Sequence, residues 1–264
     1  MSGVPVLMYH HVAPDREVTP EGFDRQMAWL KQEGFTTLTC DGLRAHLLGE
    51  TPAPEKAVVI TFDDGYADNW VHAFPVLRKY GLKATLFVVT GRMVNARASR
   101  PTSEEGARLD DTRTAERVPE GFLYWPELKA MADSGLVEIG SHTHSHRDFV
   151  RAAGYKDLRE ELDRSKAEIE LHLGRWCGAL AWPWGDFEKD WLRLLKPSGY
   201  RTAFTVQVGP NMPGIDPYRA LRFKVQNGDA SWLAARIWMY RHPIMGKAYA
   251  SLYGLDRKAK NLFK

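Results

Sequence analysis

The chain has 264 residues, 44% of them hydrophobic and 11% aromatic, enough to fill the core of one large domain and too much for a disordered chain. Two cysteines, Cys40 and Cys177, exclude a disulfide-dense scaffold and a four-cysteine zinc site. The net charge of +3 hides a basic tail: residues 239–264 carry six basic side chains against Asp256 alone, so the rest is slightly acidic, and the composition is not that of a nucleic-acid binder.

Short apolar runs alternate with amphipathic stretches from the start, the pattern of β-α units around parallel strands. Residues 4–9 read as the first strand. Thr19-Pro20-Glu21 then opens a helix with a capping hydroxyl, a proline in the first turn and an acid near the positive dipole end. Phe23, Met27 and Leu30 share one face of it, and Gly34 closes it. Further strands are predicted at 57–62, 84–89, 137–140, 180–182 and 202–205. Helices are predicted at 69–80, 126–134, 157–173 and 188–196, with Gly81, Gly135, Gly174 and Gly199 as stops. No repeat or linker divides the chain. The expectation is a single α/β domain over 1–238, a distorted (β/α) barrel of about seven parallel strands.

Residues 91–121 are polar, show no helix or strand period, and follow a strand; they read as a flexible lid. The 239–264 tail interleaves its charges with Tyr249, Leu252, Tyr253, Leu255, Leu262 and Phe263. It fits a docked helix with a solvated face, or a peripheral contact with an anionic membrane surface. No apolar run reaches the length of a membrane span, and residues 1–5 lack the opening of a secretory signal. The expected location is the cytoplasm or the inner membrane surface, or the periplasm if the chain has been trimmed.

Four segments could carry chemistry. Thr61-Phe62-Asp63-Asp64-Gly65 puts two carboxylates at the end of a buried strand, where they are costly unless ionic partners wait there. Neighbouring strand residues face opposite ways, so Asp63 and Asp64 would do different jobs. An Asp-Asp-Gly turn capping the next helix accounts for the same residues. Ser141-His142-Thr143-His144-Ser145-His146 also lies at a strand end. The spacing of His142 and His146 brings two imidazoles to one ion across a helical turn. With one aspartate they make a three-ligand face that leaves positions open, while His144 points elsewhere. A surface histidine cluster is the plainer alternative. Trp182-Pro183-Trp184-Gly185 makes a rigid aromatic wall of the kind on which sugars pack, although tryptophan is more often core. Tyr9-His10-His11 ends the first strand, from which one histidine could reach the same pocket as a proton carrier.

In combination these segments resemble the polysaccharide deacetylases, carbohydrate esterase family 4, from about residue 4 to about residue 225. Phe122-Leu123-Tyr124-Trp125 and Glu138-Ile139-Gly140 are similar in order and spacing. The arginine that many members place two residues before the motif proline is Ala181 here, and no late leucine-histidine motif follows residue 205. The chain more closely resembles the circularly permuted branch typified by poly-N-acetylglucosamine deacetylases of biofilms, whose acid histidine sits on an N-terminal strand. Val6-Leu7-Met8-Tyr9-His10 matches that strand, and Phe204-Thr205 and Leu221-Arg222-Phe223 also look like that branch.

The resemblance implies metal-assisted hydrolysis of an N-acetyl group on an N-acetylated glycan or glycolipid. Asp64, His142 and His146 would hold a divalent ion, zinc by default, with nickel, cobalt or iron also accepted by the ligand set. Asp63 would be the general base and His10 the acid, with His11 as the fallback. The Trp184 backbone N–H would face the oxyanion. Trp125, Trp182, Trp184 and Arg222 would line the substrate, and Arg222 is the candidate to orient Asp63 in place of the missing arginine. Two other readings remain: a non-haem iron oxygenase using the same ligands, and a non-catalytic carbohydrate-binding module with Trp125, Trp182 and Trp184 as its platform.

Overall fold

In a computed structural model, which describes residues 2–108, 121–150, 155–226 and 228–251, the apolar runs become parallel strands with helices packed outside them. The elements follow as β1 (Val6–Tyr9), α1 (Pro20–Gln32), β2 (Thr36–Thr37), α2 (Cys40–Leu47), β3 (Ala57–Phe62), α3 (Phe74–Tyr80) and β4 (Ala84–Val88). Then come α4 (Ser103–Arg108), α5 (Trp125–Asp133), β5 (Val137–Ser141), α6 (Tyr155–Leu173) and β6 (Ala179–Ala181). The chain closes with α7 (Leu192–Leu195), β7 (Thr202–Phe204), β8 (Phe223–Lys224) and α8 (Ala230–Arg241). Strands lie in the order β7-β6-β5-β4-β3-β1-β8, each pairing parallel, with β2 beside the start of β3. This is the single α/β domain expected, curved into a half-barrel of seven strands.

Strand parity separates two cores. Val6 of β1, Ala57 and Val59 of β3, and Phe87 of β4 meet Ala179, Ala181 and Phe204 inside the barrel. Leu7, Tyr9, Val58, Ile60, Phe62, Leu86 and Val88, the alternate residues, pack outward under the helices. Every residue of β1, β3 and β4 is buried, which is why they read as continuous apolar runs. Extended past the strand ends, the same parity carries His10 and Asp63 toward the inside and His11 away from it.

Helix α1 has the predicted start: Thr19 accepts a hydrogen bond from Gly22 N at 3.1 Å, and Phe23, Met27 and Leu30 are buried. Several expectations needed correction. The helix predicted at 69–80 begins with one wide turn, Asn69–Ala73, before α3, because Pro75 has no N–H to continue a regular ladder. The helix predicted at 188–196 shrinks to a tight turn at Lys189–Trp191 running into α7. Strands β2 and β8, two residues each, and helices α2 and α8 were not anticipated.

Residues 91–121 are also less loose than their composition suggests where they are described. Val94 bridges Tyr124, so the two ends of the excursion run side by side. The Arg100 guanidinium lies 2.7 Å from the buried carboxylate of Glu127, its carbonyl accepts from Trp70 Nε1 at 2.7 Å, and α4 follows. The remainder of the expected lid, 109–120, lies outside the described residues. In the C-terminal region α8 buries Leu233, Ile237 and Tyr240 against the domain, so the boundary expected at 238/239 falls inside a docked helix. Tail residues 252–264 lie outside the described residues. Among the described residues no helix is long and apolar enough to cross a membrane.

Candidate active site

The site forms where β1, β3, β5 and β6 end. Asp63 follows the inward parity of β3, and its backbone N–H donates to Tyr9 O at 3.0 Å, tying the ends of β1 and β3 together. Both carboxylate oxygens are held by Arg222, with Nη1 donating to Oδ1 at 2.7 Å and Nη2 to Oδ2 at 2.9 Å. The guanidinium is fully buried, donates also to Thr205 O at 3.0 Å and Thr61 Oγ1 at 3.3 Å, and lies over the rings of Phe87 and Phe204. Burial alone would raise the pKa of Asp63; Arg222, then His142 and His10, outweigh it and hold the carboxyl below its ordinary value. Arg222 therefore orients Asp63, and the expected contact of Arg222 with substrate is corrected, because no part of its guanidinium reaches the surface.

Asp64 is treated differently by the fold. Its φ of +74° turns the chain out of the strand direction, and Oδ1 is buried without a hydrogen-bond partner. That oxygen lies 3.3 Å from His146 Nε2 and 3.8 Å from His142 Nε2. Among the described residues, Asp64, His142 and His146 form a cluster whose donor atoms all lie within 4.8 Å of one another. His142 Nδ1 lies 2.7 Å from Ala181 O; a carbonyl only accepts, so Nδ1 donates there and Nε2 is the ring nitrogen turned to the cluster. Position 181, where the motif arginine is missing, thus contributes through its backbone. Burial, with His142 adding to it, lowers the pKa of His146 against the opposing pull of Asp64, which leaves the His146 ring neutral and free to ligate. An orphaned buried carboxylate oxygen facing two imidazole Nε2 atoms suits a divalent ion.

The expected helical turn between the two histidines is not what brings them together. Residues 142–146 leave β5 as an irregular loop, with Thr143 at φ +64° and His146 at φ +58°. The loop is held from outside: Glu161 of α6 accepts from the backbone N–H groups of His144 and Ser145 at 3.0 and 2.8 Å, and Thr143 Oγ1 accepts from His146 N at 3.1 Å. Gly91 N donates to His144 O at 2.9 Å, an approach only glycine allows, since a Cβ there would lie 2.7 Å from that oxygen. His144 points away to Thr90 and Glu168. The non-glycine residues with positive φ among the described residues are Asp64, Thr143, His146 and Trp184, all at this site. Such conformations cost about 1–3 kcal/mol each and persist where surrounding structure enforces them.

His10 reaches the centre as its parity requires. It lines a cleft of about 390 Å³ with His11, Tyr66, Glu17 and Lys224, and its Nδ1 is buried without a partner. Burial lowers its pKa, while Asp63 and Asp64 pull it back up. His11 is turned instead to Asp68, with Nδ1 2.6 Å from Oδ2.

The aromatic wall is smaller than expected. Trp184 is 61% exposed and presents its ring to His146 at 5.2 Å between centroids. Trp182 is 1% exposed and packs on Phe187 and Trp191, and Trp125 is buried against His172 at 4.0 Å; both belong to the core, which corrects their assignment to the substrate. What sequence reasoning missed is that Tyr66 lines the cleft beside His10 and that Asp68 holds His11, both within five residues of the aspartate pair. A third carboxylate so close to Asp63-Asp64, opposite a second histidine, was the available signal.

A family model described as polysaccharide deacetylase matches residues 50–203 of this chain, and with the ligand cluster in place that match decides its kinship. The chain belongs to the polysaccharide deacetylase family. His10 and Arg222 lie outside the matched span. It is 28% identical to the poly-β-1,6-N-acetyl-D-glucosamine N-deacetylase of Escherichia coli over 247 residues, covering 79% of this chain and 34% of that one. The enzyme of the same name from Staphylococcus epidermidis is 27% identical over 218 residues, covering 80% and 68%. Among solved structures, IcaB from Ammonifex degensii superposes with a TM-score of 0.75 at 27% identity, covering 90% of this chain and 97% of that one. This kinship places the chain among hydrolases rather than oxygenases.

Proposed function

We propose that this protein is a metal-dependent N-deacetylase, removing the acetyl group from an N-acetylhexosamine unit of a polysaccharide or glycolipid to leave acetate and a free amine. The observation that carries this reading is the unequal treatment of two adjacent carboxylates. Asp63 is clamped and ionised by Arg222, while Asp64 keeps a bare oxygen against two imidazoles. A divalent ion held by Asp64, His142 and His146 would serve as Lewis acid for the acetamide carbonyl and the attacking water.

The chain's own groups do the rest. Asp63 takes a proton from the water, since Arg222 keeps it charged and its Oδ2 lies 3.9 Å from His142 Nε2, at the edge of the ligand cluster. His10 gives a proton to the departing nitrogen, which leaves poorly as an anion. Burial favours the neutral ring at rest, so that proton reaches His10 during turnover, aided by the two aspartate charges that raise its affinity. The cleft beside His10 has room for a sugar ring, and the relatives named for poly-N-acetylglucosamine support an aminosugar.

Metal removal is the direct test. Acetate release from N-acetylglucosamine oligomers should vanish after chelation and dialysis and return on adding back zinc, cobalt or nickel. Release that survives complete stripping would overturn the reading. Trp184→Ala should raise KM by about three- to tenfold with a smaller change in kcat, because the exposed ring offers stacking area to the sugar and no proton. An unchanged KM across oligomer lengths would remove Trp184 from the substrate site.

A further inference from the structure

We infer that Asn211 is a positioning residue: its side-chain amide fixes the peptide group from which Arg222 reaches Asp63. The inference rests on the reading of Asp63 as the general base, whose carboxylate Arg222 holds through both oxygens. A base works only within hydrogen-bond reach of its proton, and a misplacement of about 1 Å caused far from the chemistry can cost about 10²-fold in rate. Whatever aims Arg222 is therefore part of what makes Asp63 effective.

The backbone leading into β8 changes partners at this point. Ala220 bridges Phe204; its N–H donates to Ala203 O at 2.9 Å and its carbonyl accepts from Thr205 N at 3.0 Å, so it belongs with β7. Phe223 already pairs with Leu7 of β1. Leu221 and Arg222 cross between the two ladders. Asn211, fully buried, supports the crossing from a loop: Oδ1 accepts from Leu221 N at 2.9 Å, and Nδ2 donates to Leu221 O at 2.9 Å. One planar amide does for residue 221 what a neighbouring strand does for a residue in a sheet. The same loop holds the next N–H, since Arg222 N donates to Gln207 O at 2.9 Å. The peptide joining Leu221 to Arg222 is thus fixed on both sides, its C=O by Asn211 and its N–H by Gln207. The plane of that peptide sets the direction in which the Arg222 side chain leaves the chain, and Thr205 O and Thr61 Oγ1 then receive the guanidinium at its far end.

Asn211 also ties this peptide to the frame that carries Asp63. Its Nδ2 donates to Val4 O at 3.0 Å, and Val4 N donates to Asn211 O at 3.0 Å. Val4 leads into β1, which pairs with β3 from Val6 opposite Val59 to Tyr9 opposite Phe62, and Asp63 is the next residue. Guanidinium and carboxylate are therefore referred to one another through the amide of Asn211 as well as through their own contact. Two carbonyls and one N–H around the side chain call for two donors and one acceptor in a single plane. A primary amide offers that set; a carboxylate or a hydroxyl does not.

The test places Asn211→Ser and Asn211→Asp each in the wild-type chain and in Asp63→Asn. The serine hydroxyl cannot serve Leu221 N and Leu221 O together. The aspartate keeps the size of the side chain and the acceptor for Leu221 N, and loses both donors. For each protein, kcat and KM for acetate release from N-acetylglucosamine oligomers are measured at saturating zinc, well below the unfolding midpoint. Zinc dissociation constants come from competition with a chromophoric chelator. In the wild-type background both substitutions should lower kcat about 10–100-fold and leave KM and zinc affinity unchanged. In the Asp63→Asn background they should change the residual kcat by less than about twofold, because the carboxylate they misplace is already gone. A purely structural loss repeats by the same factor in both backgrounds. That result, a raised KM, weakened zinc binding, or failure of both variants to fold would overturn the inference. Wild-type kcat in a folded Asn211 variant, beside an Asp63→Asn that has lost turnover, would overturn it too and leave the base in place. Undiminished turnover in Asp63→Asn would overturn both readings.

Discussion

Asp63→Asn should bind metal and sugar as wild type does and lose about 10²–10⁴ of its turnover, the usual contribution of a positioned general base. The amide is the same size as the carboxylate and can still accept from one arm of Arg222, so the barrel interior keeps its shape at a cost in stability, the buried guanidinium having lost its counter-charge. It cannot take a proton from water. The ligand atoms of Asp64, His142 and His146 belong to other side chains, so zinc affinity should change little. The measurement is acetate release beside a zinc titration of the same preparation. Loss of both together would mean that Asp63 belongs to the ligand set. Turnover unchanged with sugar still bound would remove the base and favour a carbohydrate-binding protein.

Arg222→Met has the larger expected effect on stability. Breaking a buried ion pair by removing one partner costs about 3–5 kcal/mol, because the remaining charge stays in the interior without compensation. Here that charge is Asp63, whose burial would then push its pKa up unopposed by the guanidinium. Activity at neutral pH falls with stability, since a protonated Asp63 is no base. The stability gap also depends on pH in a defined sense. In the wild type Asp63 is held below its unfolded pKa, so the pair contributes above the unfolded value and that contribution is lost as pH falls through the folded one. The two proteins should therefore differ most near neutrality and converge on acidification. Denaturant unfolding at neutral and acidic pH checks this, and a gap that stays constant would mean the loss comes from packing against Phe87 and Phe204. Arg222→Lys should not rescue activity, because one ammonium cannot reproduce the two-pronged contact.

The legibility of this fold and site in the sequence followed the range of the interaction involved. The apolar runs of β3 and β4, the capped start of α1 and the Gly81 stop of α3 depend on neighbours a few residues away, and they are readable from pattern alone. Strands β2 and β8 are two residues long and owe their state to partners distant in the chain, which leaves no periodicity to detect. At the site, the residues that come together were identifiable by type and position, but the means of bringing them together was not. A spacing of four between His142 and His146 suggests a helix; the chain uses left-handed residues at Thr143 and His146, with Glu161 holding the N–H groups of His144 and Ser145 between them. Trp182 looks like a sugar platform until β6 places it under the helices, because hydrophobicity alone does not tell which side of a sheet a tryptophan takes. Arg222 makes its decisive contact 159 residues away, a separation no local pattern reports.

That separation also orders events as the chain is made. Once residue 146 has emerged, every donor of the metal cluster has been synthesised, but the partner of the base arrives only with the segment leading into β8, which docks beside β1 at the first-made end of the sheet. A nascent chain, or a fragment ending after β7, would carry Asp64, His142 and His146 together with an Asp63 that lacks its guanidinium partner. Closing the seam between the first strand and the last is thus the same event as delivering Arg222 to Asp63.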